Sequence, residues 1–241
     1  MKKHIFKPSK NISVPYFSDS SVFIPNLTSE LIVRSIENNK KLLREKKILD
    51  MGCGSGVIGI SVKKKIFKNS LIYFSDLSDS AIKLTKKNCK LNKISFILKK
   101  SNLLKEWSEE SFDLIINDVS AISSFFLKNK IWYNRNIPSD TGIDGTKQII
   151  KFLREIKKSN IKGIIIPLIS LCNTNKVKKI FEKENFKITS LIKQDWPLPE
   201  KLVLKERDQL LKLKNKKKIN FKDIYGLFVA NTEILYLKKK N

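Results

Sequence analysis

The segment Ile48-Leu-Asp-Met-Gly-Cys-Gly-Ser-Gly-Val-Ile-Gly-Ile60 decides the fold of this chain. It begins as a short apolar run, passes through glycines and continues with helical spacing, which predicts a buried strand, a tight loop and a helix start. Gly52, Gly54 and Gly56 permit backbone angles and a close ligand approach that a Cβ atom would block. Because unpaired N–H groups gather at a helix N-terminus, we expect a polar ligand on this loop.

Two kinds of cofactor fit a loop of this pattern. The spacing Gly54-x-Gly56-x-x-Gly59 also satisfies the dinucleotide fingerprint, which is a weak signal when it stands alone. Asp50 lies two residues before the first glycine, where a carboxylate would repel a pyrophosphate but attract a cationic sulfonium nucleoside. We therefore favour the sulfonium nucleoside. A nicotinamide dinucleotide and a plain strand-to-helix turn are the alternatives.

Length and cysteine usage bound the class of protein. The 241 residues are enough for one large domain, or for one domain with small appendages. The three cysteines, Cys53, Cys89 and Cys172, show neither metal-binding nor disulfide spacing, so we expect no metal site and a reducing, cytoplasmic setting. The first residues lack the apolar core of a signal peptide, and no apolar run approaches the ~18 residues of a membrane span.

The formal net charge of +26 is of the size that accompanies nucleic-acid binding. Only five of the 49 basic residues are arginine, and isoleucine and asparagine are abundant, which is typical of an AT-rich genome. Aromatic residues are not interleaved with the lysine runs as in a single-strand binding platform. We interpret the charge mainly as a solvated surface shaped by codon usage, and RNA stays open as a partner.

The string Asp50-Met-Gly-Cys-Gly-Ser-Gly56 resembles motif I of the class I S-adenosylmethionine-dependent methyltransferases. The resemblance implies that S-adenosylmethionine is the cofactor. It also implies a set of cofactor-binding positions on and before the loop. These are Asp50, Gly52, Cys53, Gly54 and Gly56.

Two later segments extend the resemblance to the rest of the cofactor. Asp76 ends an apolar strand about one βαβ step after Asp50, where a carboxylate can accept both ribose hydroxyls, and Leu77 follows it. Asn102 follows the strand Ile94–Leu98, at a position where the family often has an aspartate that reaches adenine. The alternatives are a helix-capping residue for Asp76, although Ser78 or Asp79 is the better cap, and a turn residue for Asn102.

The segment Phe23-Ile-Pro-Asn-Leu-Thr-Ser-Glu30 resembles the Pro-Arg-Pro-x-Thr-Glu segment of protein-glutamine methyltransferases that act on release factors. Pro25, Thr28 and Glu30 match it, whereas an Asn-Leu pair replaces Arg-Pro. In the family this segment lies beside cofactor and substrate, which assigns Pro25 and Thr28 to the substrate and Glu30 to the cofactor. The alternative is a simple helix start that Thr28 or Ser29 caps.

The segment Ser111–Ala121 predicts a fourth strand that runs into the catalytic loop. In amino-methylating relatives this strand ends in Asn/Asp-Pro-Pro-Tyr/Phe, and the resemblance places Asp118 on the first of these positions. Asp118 is thus the candidate catalytic residue, with Ser120 as a weaker substrate-binding candidate. Both prolines and the aromatic residue are missing, and Trp132 or Tyr133 is an alternative source of the aromatic ring.

The alternation of strands and helices predicts an α/β fold, a Rossmann-like, doubly wound, seven-stranded and mostly parallel sheet with an antiparallel last strand. Residues 1–20 are expected to form an irregular arm and residues 21–241 the methyltransferase domain, with an accessory insert near 194–222. The runs Tyr225–Ala230 and Glu233–Leu237 predict a hairpin around Asn231-Thr232, and Asp144 is expected to cap a helix.

These features predict an enzyme that transfers a methyl group to a nitrogen of a protein side chain by in-line displacement. The alternatives are an RNA base, a small molecule or oxygen nucleophile, and a non-enzymatic module that binds cofactor or RNA. Asp118 is the only acceptor for a proton at the expected place. His4, the sole histidine, lies in the arm and is interpreted as incidental.

Overall fold

The computed structural model of the chain describes residues 2–43, 46–119, 121–128, 140–157 and 159–240. Its centre is one mixed sheet in the order β5-β4-β3-β6-β7-β10-β8, with β9 paired to β10. The strands are β3 (Lys47–Met51), β4 (Leu71–Asp76), β5 (Ile97–Lys100), β6 (Phe112–Asn117), β7 (Ile161–Ile169), β8 (Phe186–Pro197), β9 (Lys222–Ile224) and β10 (Leu227–Lys239). Neighbours from β5 to β7 are parallel, and β10 runs antiparallel to both β7 and β8. The predicted fold class is confirmed.

Apolar side chains cover both faces of the sheet. Along β7, Ile164 and Ile166 belong to one hydrophobic cluster and Ile165 to the other, because successive side chains in a strand point to opposite faces. The same alternation places Ile48 and Leu49 of β3 in different clusters. Two cores therefore form, one on each side of a doubly wound sheet.

Helices cover the two faces of the sheet, and asparagine or serine side chains cap three of them. They are α1 (Leu27–Asn38), α2 (Val57–Ser61), which continues as a π-helical turn (Val62–Ile66), α3 (Asp79–Leu91), α4 (Ser124–Lys128), α5 (Lys147–Ile156), α6 (Thr174–Lys183) and α7 (Glu200–Asn215). Ser78 caps α3, as predicted. The cap of α1 is Asn26, whose Oδ1 accepts the Thr28 N–H at 2.9 Å, so neither Thr28 nor Ser29 has that role.

Asp144 does not cap α5, and the N-cap lies two residues later than predicted. Thr146 is the residue at the helix N-cap position. The Asp144 carboxylate accepts hydrogen bonds from the backbone and the hydroxyl of Thr146, at 3.2 and 2.8 Å. It therefore stabilises the turn that leads into the helix rather than the first helical N–H groups.

The N-terminal segment is not irregular. β1 (Lys2–Phe6) and β2 (Val14–Ser18) form an antiparallel pair. The Asn88 side chain of α3 accepts from the Phe17 N–H at 2.7 Å and donates to the Phe17 carbonyl at 3.1 Å, so α3 holds β2 as a further strand would. This anchor comes from a residue far along the chain, and it is why the polar N-terminal sequence was misleading.

The predicted hairpin around Asn231-Thr232 is also wrong, since β10 passes through both residues without a turn. The Asn231 carbonyl accepts from the Ser170 N–H at 2.8 Å, and the Asn231 N–H donates to the Ser170 hydroxyl at 2.9 Å. Thr232 is buried and accepts from the Trp196 indole at 3.0 Å. Near 194–222 lie the end of β8, helix α7 and a third apolar cluster that includes Leu202 and Leu210. Within the described residues, no helix is both long and apolar enough to cross a membrane.

Candidate active site

A cleft of about 290 Å³ opens at the carboxyl ends of β3, β4 and β6. This is the edge at which open α/β sheets bind ligands. The lining includes most of the predicted site residues, namely Pro25, Thr28, Gly52, Cys53, Gly54, Asp76, Leu77, Asn102 and Asp118. Three predicted residues, Asp50, Gly56 and Glu30, do not line it.

The glycine loop forms one wall of the cleft and needs the freedom of its glycines. Gly52, Gly54 and Gly56 have φ values of 73°, 53° and 78°, in the left-handed region. A Cβ atom at Gly56 would lie 2.9 Å from Thr85, so this glycine serves helix packing, whereas Gly54 faces the cleft. The Gly54 N–H donates to Asp76 at 2.9 Å, which ties the loop to the end of β4.

Asp50 lies behind the loop and is completely buried. Its Oδ2 accepts the Gly59 N–H at 2.8 Å, and its Oδ1 is buried without a hydrogen-bond partner among the described residues. Burial raises the pKa of Asp50 to about 7, and the charge of Asp76 adds to this rise. Direct contact between Asp50 and a ligand in the cleft therefore stays a prediction, whereas its electrostatic effect on the cleft follows from this position.

Asp76 and Leu77 lie together at the mouth of the cleft. The Asp76 carboxylate accepts from the N–H groups of Gly54 and Ser78, both at 2.9 Å, and burial raises its pKa. Leu77 is 47% exposed, although it is a large apolar side chain. A nucleoside requires an acceptor for its ribose hydroxyls and an apolar surface against its base. Asp76 and Leu77 can supply these two contacts.

Asn102 lines the cleft, but its side-chain oxygen is already engaged. Lys151 of α5 donates to Asn102 Oδ1 at 2.9 Å. Lys151 also lines the cleft and is the only basic residue among the lining residues that the structure describes. An adenine contact through this oxygen would have to share it with Lys151. The sequence analysis missed Lys151, since nothing local marks it among the other lysines of the chain.

Asp118 follows β6 and faces the cleft, and the Ser29 hydroxyl of α1 hydrogen-bonds to its carboxylate. Burial raises the pKa of Asp118 to about 8, the charge of Asp50 adds to the rise, and the Ser29 bond opposes it. Ser29 lines the cleft beside Asp118, although the sequence indicated it only as a possible helix cap. With Pro25 on the first proline of Pro-Arg-Pro-x-Thr-Glu, the threonine position is Ser29 and not Thr28, which falls on x.

The remaining predicted residues divide into three groups. Pro25 and Thr28 line the cleft, and the Thr28 N–H belongs to the α1 cap. Glu30 lies in the first turn of α1 without reaching the lining. Ser120, Trp132 and Tyr133 lie outside the described residues, so their assignments stay predictions.

The cleft is acidic although the chain carries a net charge of +26. Asp76 and Asp118 line it, and Asp50 lies close enough to Asp118 to raise its pKa. Asp50 is a buried carboxylate with one unpartnered oxygen, and burial raises the pKa of both Asp76 and Asp118 because it disfavours their charged forms. A cationic ligand would stabilise those charged forms. A sulfonium nucleoside with an amino-acid ammonium group fits this arrangement. Metal binding has no such support, because the described residues hold no group of three or more candidate ligands.

The order of the strands, the glycine loop and the acids at the ends of β3, β4 and β6 are the arrangement expected of the class I methyltransferase fold. Residues 17–118 match the model of the methyltransferase small domain. The matched segment covers less than half of the chain, and it contains the glycine loop, Asp76 and Asp118.

Similar proteins agree with this assignment. The chain is 26% identical over 201 residues to the release factor glutamine methyltransferase of Flavobacterium psychrophilum, which covers 79% of this chain and 70% of the relative. It is 31% identical over 192 residues to the enzyme of the same name from Fusobacterium nucleatum subsp. nucleatum, covering 75% of this chain. The chain spans about half (52%) of that relative.

Among solved structures, the E. cuniculi Mtq2–Trm112 complex, responsible for methylation of the eRF1 translation termination factor, shares the fold with a TM-score of 0.58. Its sequence identity is 16%, and the alignment covers 91% of this chain and 99% of that chain.

Proposed function

We propose that the cleft binds S-adenosylmethionine and that the enzyme methylates a nitrogen of a protein side chain. The observation that carries the proposal is the shared cleft. It joins the glycine loop and Asp76, which suit the cofactor, to Asp118, which suits the methyl acceptor. The relatives named as release factor glutamine methyltransferases support a protein side chain as that acceptor.

On the cofactor side, Gly52, Cys53 and Gly54 would hold the amino-acid part, and Asp76 would accept the ribose hydroxyls. Leu77 would pack against the adenine ring. Bound in this way, the cofactor supplies a methyl group that its sulfonium has already activated. The chain therefore needs to contribute position, charge and exclusion of water rather than covalent chemistry.

On the acceptor side, Asp118 would accept a hydrogen bond from the N–H of the incoming side chain. The carboxylate would stabilise the positive charge that the nitrogen gains when the sulfur–methyl bond breaks and the nitrogen–methyl bond forms, and it would take the proton from that nitrogen. The Ser29 hydroxyl holds the carboxylate from the side of α1, so that it keeps its orientation. Ser29 is thus a positioning residue for Asp118.

The acceptor loop departs from the family pattern, and this departure supports a second candidate function, methylation of a small molecule or of an oxygen nucleophile. Val119, Ser120 and Ala121 stand where two prolines and an aromatic ring hold a flat amide or base in relatives. A small molecule or an oxygen nucleophile needs no such platform, and the loss favours it. An RNA base needs the platform as much as an amide does, so the loop itself gives the RNA alternative no support.

Two measurements test these proposals. Titration calorimetry with S-adenosylmethionine tests the cofactor, and the absence of any binding heat would contradict the assignment. Transfer of a labelled methyl group to purified release factor, to total RNA and to a small-molecule extract tests the acceptor. Label that protease releases supports the protein proposal, and label that ribonuclease or filtration removes supports an alternative. Cofactor binding without label in any fraction would support the non-enzymatic alternative.

We also propose a cellular compartment for the enzyme. Cys53, Cys89 and Cys172 are free and buried, which suits a reducing compartment such as the cytoplasm.

A further inference from the structure

A second groove, of about 690 Å³, lies between helix α6 and the segment that follows α7. Five of its twelve lining residues are lysines and none is acidic. The lysines are Lys176, Lys179, Lys183, Lys214 and Lys217. The rest of the lining is mostly asparagine, threonine and isoleucine, so the groove is a concentrated positive surface with hydrogen-bonding side chains around it.

Packing of α6 fixes the direction of three of these lysines. Lys176, Lys179 and Lys183 recur at helical spacing and share one face of α6. The opposite face carries Val177 and Phe181, which are buried against the sheet. Rotation of α6 would expose both apolar side chains, and the lysine face therefore stays directed at the groove.

The other wall of the groove is formed by the end of α7 and the segment that follows it. Lys214 lies in the last turn of α7, with its ammonium 4.7 Å from the centre of the Phe221 ring. Lys217 adopts a left-handed conformation, with a φ of 55°, and its N–H donates to the Lys214 carbonyl at 2.8 Å. The Asn220 N–H donates to the Ser170 carbonyl at 2.7 Å, which anchors the segment to the sheet.

Most of these lysines lack a carboxylate to neutralise them. Lys176 pairs with Asp144 at 2.8 Å. In the part of the chain that the structure describes, Lys179, Lys183 and Lys217 have no carboxylate within 4.0 Å. Two helices thus hold like charges around one groove, and an anion there would relieve their repulsion.

The groove lies one loop away from the methyl-transfer cleft. Asp144 accepts the Asn173 N–H and the Lys176 ammonium on the groove side, at 2.9 and 2.8 Å. Thr141, three residues earlier in the same loop, lines the cleft. A ligand in the groove therefore lies beside the loop that forms part of the active site.

We propose that this groove binds the phosphate backbone of single-stranded RNA. A chain of phosphates supplies several anions to several lysines at once, which a single small anion does not. An acidic peptide would need apolar pockets for its other side chains, and the groove offers only half-buried Ile180 and buried Ile219. Lysines without exposed aromatic rings make point contacts to phosphate, so the binding is independent of base sequence.

The test is the salt dependence of RNA binding, measured by fluorescence anisotropy with a labelled oligouridine and no cofactor. The triple variant Lys179→Gln/Lys183→Gln/Lys217→Gln removes three phosphate contacts, and each contact contributes about 0.7 to the log–log salt slope. We expect the slope to fall by about 2 and the affinity at low salt to fall at least about tenfold.

The matched control is Lys86→Gln/Lys90→Gln/Lys93→Gln on the other side of the sheet. It removes the same charge from exposed positions with the same geometry, two lysines one turn apart in α3 and a third with a φ of 53° after it. We expect less than a twofold change in RNA affinity. Equal losses in both variants would overturn the proposal in favour of diffuse charge attraction, and tighter binding of polyglutamate than of oligouridine would overturn it in favour of an acidic protein.

The inference does not rest on the proposed methyl transfer. Asp118→Asn should leave RNA binding unchanged, and the groove variant should bind S-adenosylmethionine as the unmodified chain does, which also shows that it is folded. Loss of one activity without the other tells which of the two proposals has failed.

Discussion

Replacing Asp118 by asparagine should stabilise the chain at alkaline pH and abolish methyl transfer. Burial raises the pKa of Asp118 to about 8, and the charge of Asp50 contributes to this rise. Asparagine keeps the side-chain oxygen that accepts from Ser29 but removes the charge. The variant therefore separates the cost of burying this charge from the shape of the site.

The size of the stability change follows from the difference in proton binding between the folded and the unfolded chain. The pKa of Asp118 is above its ordinary value of 3.8, so between about pH 4 and about pH 8 the folded chain holds a proton that the unfolded chain has lost. Stability therefore falls as pH rises through this window, by at most about 1.4 kcal/mol per pH unit, which gives an upper bound of about 6 kcal/mol.

Asp118 is only half-buried and Ser29 donates to its carboxylate, so the cost of the charge is smaller than this bound. We expect the variant to gain on the order of 2 kcal/mol near pH 8, which raises Tm by about 5 °C, and to gain almost nothing near pH 4.

Urea denaturation at both ends of this pH window measures the gain, and transfer of a labelled methyl group measures the turnover. Asp113→Asn is the control, because Asp113 lies in β6, the strand that Asp118 follows, but its pKa shifts the other way. Burial acts to raise that pKa, but the Lys162 ion pair and backbone N–H groups outweigh it and hold it below the ordinary value. This control should lose stability near neutral pH and keep its turnover. A pH-independent effect of Asp118→Asn on stability would refute the electrostatic reasoning, and undiminished turnover would remove Asp118 from the mechanism.

Two further variants test Ser29 and the glycine loop. Ser29→Ala removes the hydrogen bond that lowers the pKa of Asp118, so the rise of kcat/KM with pH should move to higher pH, and Ser29→Thr should restore it; an unchanged pH profile would leave Ser29 a purely structural role. Gly54→Ala adds a Cβ atom in the cleft wall, 3.8 Å from the nearest protein atom, and should weaken cofactor binding at least tenfold by calorimetry. Gly226→Ala is its control, with a φ of +86° and no atom within 4 Å, and should lose about 1 kcal/mol of stability, as Gly54→Ala does, without any change in cofactor affinity.

The half of the cleft that the glycine loop and Asp76 form was predictable because its signals are local. A strand, a glycine loop and a helix start follow one another between residues 48 and 60, and the left-handed angles of Gly52 and Gly54 are what such a loop needs. Asp76 could be found by the same logic, as the acid that ends the next strand. Each of these residues is identified by its immediate neighbours in the chain.

The acceptor half depends on contacts between distant segments, which sequence spacing does not encode. Ser29 in α1 and Asp118 after β6 lie 89 positions apart in the chain, and the threonine position of Pro-Arg-Pro-x-Thr-Glu falls on Ser29 rather than on Thr28. Lys151 reaches Asn102 across 49 positions. The N-terminal strand pair is anchored by Asn88 of α3, which hydrogen-bonds to Phe17 across 71 positions of the chain.

Acidic and basic side chains are concentrated in different regions of this molecule, which the net charge alone does not show. The chain carries +26 overall, yet Asp76 and Asp118 face the cleft, which has one lysine in its described lining. The second groove has five lysines and no acid. A cationic cofactor gains from the first environment, while the same acids repel a phosphate backbone from the methyl-transfer cleft. The loop that contains Thr141 and Asp144 separates the two regions, so an RNA in the groove would border the active site without entering the place of the cofactor.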